Sequence, residues 1–283
     1  MAIHHLIPML DGAAAKGEIM GEIVILPYAN PIGLDQRMGS AVPGRYAFDG
    51  SGNFNRNWAD LARLSAPLLD GRLGKGPDKD VATVRAAFRD VIDSLPDRTE
   101  VEHWRKLLLG LFHDADHVLD LHCDGEAEVH IYANQRLSET ALGLALDMDS
   151  PVLLLETTPG GAAFDESAAA PWWWLRELFP EAADLPLACF ACTVELRGRQ
   201  SISDEFGQKD ATGLLSYLRR TGAVKGSPTP QRSECLTTLL SATDVIHAPA
   251  AGLVTYTREL GEQVAAGDTV AYLIDPACYF GHG

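Results

Sequence analysis

No run of about 18 apolar residues occurs anywhere in the 283-residue chain, so nothing in it reads as a bilayer-spanning helix. The first residues lack the basic stretch and apolar stretch of a secretory signal, which makes the cytoplasm the default location. Cations are scarce. Lys and Arg number 23 against 39 Asp and Glu, giving a formal charge of −16 that repels phosphate backbones and anionic lipid. Nucleic acid and membrane are therefore not expected as partners. The five cysteines are odd in number, in a chain too long to need staples, and read as reduced thiols. Cys189 and Cys192 form a CxxC, but no second pair completes a structural zinc site, and both lie in an apolar run that reads as a strand. A GxSxG elbow and a P-loop are absent, leaving serine-hydrolase and nucleotide-binding readings without support. His113 and His117 have the i, i+4 spacing of helical zinc motifs but not the adjacent glutamate.

What is present is a core-forming composition, 46% hydrophobic and 22% charged. Residues 2–10 read as a helix and 22–27 as a buried strand. Residues 30–58 carry Gly and Pro among polar residues and read as a long, function-bearing loop. Amphipathic spacing of Val84, Ala87, Phe88, Val91 and Ile92 predicts a helix over 80–95, and another is expected over 100–112. The segment 117–122 reads as a strand buried on both faces, with ligands expected near its carboxyl end. Strands at 128–132, 152–156 and 188–196 alternate with helices at 138–146, 171–179 and 211–221. That alternation predicts an α/β fold, a mixed and mostly parallel sheet flanked by helices. After Gly222 the texture turns to short alternating strands, so the expected division is a domain over 1–230 and a small all-β module over 231–283. The run Trp172, Trp173, Trp174 reads as packing ahead of substrate stacking.

Three clusters could carry chemistry. In Asp120-Leu121-His122-Cys123-Asp124 a histidine at a strand end is flanked by carboxylates able to orient its imidazole around a metal, or it merely caps the strand. In Asn53-Phe54-Asn55-Arg56-Asn57, with Arg45 and Arg37 upstream, guanidinium plus amide can grip a carboxylate and a second arginine can polarise a carbonyl. A solvated loop accounts for those residues equally well. Glu195 and Glu156 each sit in a strand where burial of a carboxylate demands a partner or a function such as general base.

Taken in order, Asn30-Pro31-Ile32-Gly33, the 53–57 motif, the 120–124 motif with Glu126 and His130-Ile131-Tyr132, and Thr193-Val194-Glu195 resemble the succinylglutamate desuccinylase/aspartoacylase family. The resemblance implies a zinc carboxypeptidase-like fold and hydrolysis of the amide bond of a small N-acyl amino acid. It makes His122 a ligand of Zn2+, Glu195 the base acting on metal-bound water and Arg45 the residue facing the carbonyl oxygen. Asn55 and Arg56 then hold the substrate carboxylate, and Arg37, from the same loop cluster, is expected to bind substrate with them. The stretches 247–254 and 260–268 look like the lipoyl/biotinyl-type half-barrel of bacterial members, expected to shape or cover the site mouth. No lysine lies between Ala248 and Gly283, which excludes covalent attachment of lipoate or biotin there.

Two departures accompany the resemblance. The family's HxxE motif, which supplies two further zinc ligands, is not found, since Ile7 follows His4 and Pro8 follows His5 at the required spacing. The expectation is a start at Met1 that is truncated or misassigned. The second half of the barrel is likewise not found, so an unpaired strand edge and homo-oligomer formation are expected. The competing reading is a metal-free, non-catalytic module that keeps the carboxylate clamp.

Overall fold

The computed structural model describes residues 1–158 and 160–279. Helix α1 (Ala2–Ala15) buries Ala2, Leu6, Leu10 and Ala13 on one stripe. A loop follows that contains the short α2 (Pro31–Asp35) and a two-residue ribbon, β1 (Tyr46–Ala47) against β2 (Gly52–Asn53). Next come α3 (Leu61–Leu69), α4 (Pro77–Ser94) and α5 (Glu100–Phe112), whose first turns are stabilised by the caps Asp60 and Thr99 on α3 and α5 and by the acidic Asp78 and Asp80 on α4. The remainder alternates β3 (His117–Asp124), β4 (His130–Asn134), α6 (Ser138–Asp147), β5 (Val152–Glu156), α7 (Phe164–Leu178), β6 (Phe190–Gly198), α8 (Asp204–Arg220) and β7 (Leu236–Leu239). A separate hairpin pairs β8 (Leu253–Tyr256) with β9 (Ala271–Ile274).

The main sheet has five strands in the order β3-β6-β4-β5-β7, all neighbours parallel except β4 against β6. This is the mixed, mostly parallel α/β sheet expected. Helix α7 packs on β3 and β6, α6 packs on β4 and β5, and α1 lies on α8. Trp172 and Trp173 are buried and Trp174 half-buried, so the tryptophan run packs the core; the Phe88 and Trp172 ring centroids are 5.7 Å apart. Among the described residues no helix is long and apolar enough to cross a membrane.

Several expectations are corrected. Residues 22–27 form no ladder: Ile23 and Ile25 pack on the core while Val24 and Leu26 stay exposed, an alternation with no neighbouring strand to pair with. Strand β3 is not apolar on both faces. Asp120 and His122 project from one face, Leu119 and Leu121 from the other. Strand β7 pairs in parallel with β5 and extends the sheet past residue 230 to Leu239. Beyond Ser241 no described residue lines the main cleft.

Candidate active site

The period of two along a strand builds the site. Registered pairs place His122 of β3, Glu195 of β6 and His130 of β4 in one row, and Asp120, Thr193 and Tyr132 in the next. Neighbours in a row project from the same face, so six polar side chains share one side of the sheet. The other side, with Leu119, Leu121, Cys192, Val194, Ile131 and Ala133, is apolar. Helix α7 begins at Phe164, above the Asp120 and Thr193 row, and the rest of that polar face opens into a cleft of about 1650 Å³.

His122 Nε2 lies 2.8 Å from Asp120 Oδ2. Burial alone would lower the His122 pKa, but the hydrogen bond and charge of Asp120, with Glu195 and Asp165 beyond, outweigh it and hold the imidazole above its usual range. Glu195 is half-buried and its Oε2 has no hydrogen-bond partner among the described residues. Burial pushes its carboxyl up, while the imidazoles of His122 and His130 pull it back and Asp124 and Asp120 push again. Burial raises Glu156 to about 7, with Glu166 and Asp165 adding to it. Burial and the charge of Asp120 raise Asp165 to about 6, against hydrogen bonds from the Glu166 backbone and the Thr193 hydroxyl. The buried thiols of the CxxC are pushed up as well, Cys189 to about 12, which suits packing and not redox chemistry.

The opposite wall comes from the 53–58 segment. Asn55 Oδ1 accepts from the Phe164 N–H at 2.8 Å, and Arg56 Nη1 donates to the Asn55 carbonyl at 2.5 Å. Backbone bonds from Asn57 to Gly161 and from Trp58 to Ala162 tie this segment to the start of α7. Asn57 holds a left-handed φ of 59°, a conformation that Asn tolerates better than most residues.

Of the residues singled out from sequence, Arg45, Asn55, Arg56, His122, Glu195 and Glu156 all line this cleft. Arg37 does not. Its Nη1 turns back onto the carbonyls of Leu34 and Gln36. His130, Tyr132, Thr193 and Asp165 were not assigned roles from sequence. The alternation of polar with apolar residues in β3 and β6 was the signal that could have found the row partners.

The donor set does not amount to a zinc site. Zinc centres use three or four protein ligands, and among the described residues no group of three His, Cys, Asp or Glu side chains is arranged to hold a metal ion.

Comparison with solved structures places the fold. A protein from Shewanella frigidimarina, described as a succinylglutamate desuccinylase/aspartoacylase, superimposes over 99% of this chain and 75% of its own, with a TM-score of 0.85 and 25% identity. A protein of that same family from Shewanella amazonensis matches over 100% of this chain and 76% of its own, with a TM-score of 0.84 and 27% identity. No family model matches the chain, and no curated protein matches it.

Proposed function

From the premise that this chain shares the architecture of succinylglutamate desuccinylase/aspartoacylase proteins along its whole length, we propose that it hydrolyses the amide bond of a small N-acyl amino acid. The observation that carries the reading is the row His122, Glu195 and His130, with a buried carboxylate oxygen left unpartnered at the floor of an arginine-walled cleft. In this reading Glu195 accepts a proton from the attacking water and returns it to the leaving amine. Arg45 faces the carbonyl oxygen as negative charge develops there, and Asn55 with Arg56 holds the substrate carboxylate. Zn2+ belongs to the proposal with His122 as one ligand; a bound zinc would supply a more acidic water. The described residues do not complete a ligand set, so no step is assigned to the metal.

The same observation about the donor set favours a second reading, a metal-free module that binds carboxylates without turnover. Metal analysis of the purified protein, combined with assay against acetyl and succinyl amino acids, separates the two. Near-stoichiometric zinc with turnover, lost by roughly 100-fold or more in Glu195→Gln, supports the hydrolase. Binding without metal or turnover supports the module, and neither binding nor turnover would overturn both.

A further inference from the structure

Strand β6 does not run straight past Glu195. Between the pairs His122–Glu195 and Asp124–Gly198, β3 advances two residues while β6 advances three, so β6 carries one extra residue. Bulges are rare between parallel strands and recur beside active sites, where they re-aim a side chain. The residue in the bulge is Arg197, whose φ of 68° puts a long L-side chain in the left-handed region. Such a conformation persists only where the surroundings over-determine it.

Two features do so here. The Arg197 guanidinium makes a bidentate pair with Asp210 of α8, at 3.0 and 2.8 Å, with both residues buried, and it stacks 4.4 Å from the Phe206 ring centre. Gly198 fixes the register on the other side: a Cβ there would lie 2.9 Å from the Glu126 Cα and from the Gly125 carbonyl oxygen. The consequence for the site follows from strand geometry. Without the bulge, Arg197, two residues beyond Glu195, would project from Glu195's own face and bring a guanidinium to that carboxylate. With it, the guanidinium lies on α8 and the Glu195 Oε2 is left without a partner among the described residues.

We propose that Arg197 and Asp210 are positioning residues of this site: their buried pair locks the β6 bulge, holds an arginine away from Glu195 and leaves that carboxylate free for substrate. The inference rests on the reading of Glu195 as the proton acceptor. The test compares Asp210→Asn, Arg197→Gly and the double variant by crystal structure and by hydrolysis of N-acyl amino acids. Asp210→Asn removes the charge and one of the two acceptor oxygens that hold the guanidinium, and the expected result is Arg197 turned toward Glu195 with a loss of roughly 10- to 100-fold in kcat and little change in KM. Arg197→Gly breaks the same pair but suits the left-handed backbone and has no cation to misplace. It loses far less, and adding it to Asp210→Asn restores most of the turnover.

A pair that served stability alone would make the two single variants equally damaging and the double no better, which would overturn the proposal. So would a structure of Asp210→Asn in which Arg197 stays on α8. If Asp210→Asn does not fold, the double variant must fold, because the stranded cation is the stated cause; failure of both also overturns it. Should the unmodified chain hydrolyse nothing, a swung Arg197 in Asp210→Asn still upholds the positioning role while the hydrolase reading falls.

Discussion

Glu156 and Asp165 hold carboxyls in the cleft at about 7 and about 6, and the sign of their effect on stability is fixed by that direction. Each folded-state value lies above the unfolded one, so the folded protein binds more protons in the interval. Their contribution is fully present below about pH 4 and is lost as pH rises to about 7. Glu156→Gln, neutral at every pH, is expected to raise the melting temperature at pH 8 and to flatten its fall between pH 4.5 and 7. Thermal scans across that range check it, and an unchanged slope would show Glu156 to be solvated. Legibility at this scale follows locality. His122 and Glu195 stand out because each interrupts an apolar strand, whereas Arg37 shares the chemistry of Arg56 and only the path of the loop decides that Arg56 and not Arg37 lines the cleft. The partnership of Arg197 with Asp210 depends on a bulge, and nothing in the local residue pattern announces one.

Elements hold the clamp in place. Helix α5 carries Trp104, whose indole N–H donates to the Ala29 carbonyl at 2.6 Å, and Arg105, whose Nη2 donates to the carbonyls of Asn53 and Arg56 at 3.1 and 2.9 Å. One helical turn thereby ties both ends of the 29–56 segment. Arg105→Met keeps an apolar stem but removes the guanidinium, which lies 5.8 Å from the Trp58 ring centre, and with it both bonds to the loop. The expected result is roughly tenfold weaker binding of an N-acyl amino acid, about 1.4 kcal/mol, with the fold intact, measured by calorimetry. Periodicity read the long elements well, because α4, α5 and β5 bury one stripe or alternate cleanly. It failed where a partner decides. The 22–27 segment has strand-like alternation but no adjacent strand, and α7 starts seven residues before Pro171, the residue that looked like its first turn.

The molecule as a whole is held beyond the expected division by Asp147, fully buried at the end of α6. It accepts from Ser216 at 2.7 Å and from Arg220 at 2.7 and 2.9 Å, while Ser216 in turn accepts from the Thr229 N–H. This cluster anchors the 225–232 stretch to the sheet domain. Arg220 can still reach solvent, so Asp147→Ala is expected to cost about 1–3 kcal/mol, less than for a sealed pair, as read by denaturant unfolding. Net charge sets the last expectation. A field from −16 opposes any anionic substrate at long range, whereas Arg45 and Arg56 attract it only within the cleft. Salt shortens the Debye length from ~30 Å at 0.01 M to ~8 Å at 0.15 M, which screens the distant carboxylates far more than a guanidinium in contact. Association should therefore quicken with salt, and kcat/KM for an N-acyl amino acid should rise over that range. A fall would mean that the arginine wall, not the whole-molecule charge, governs capture.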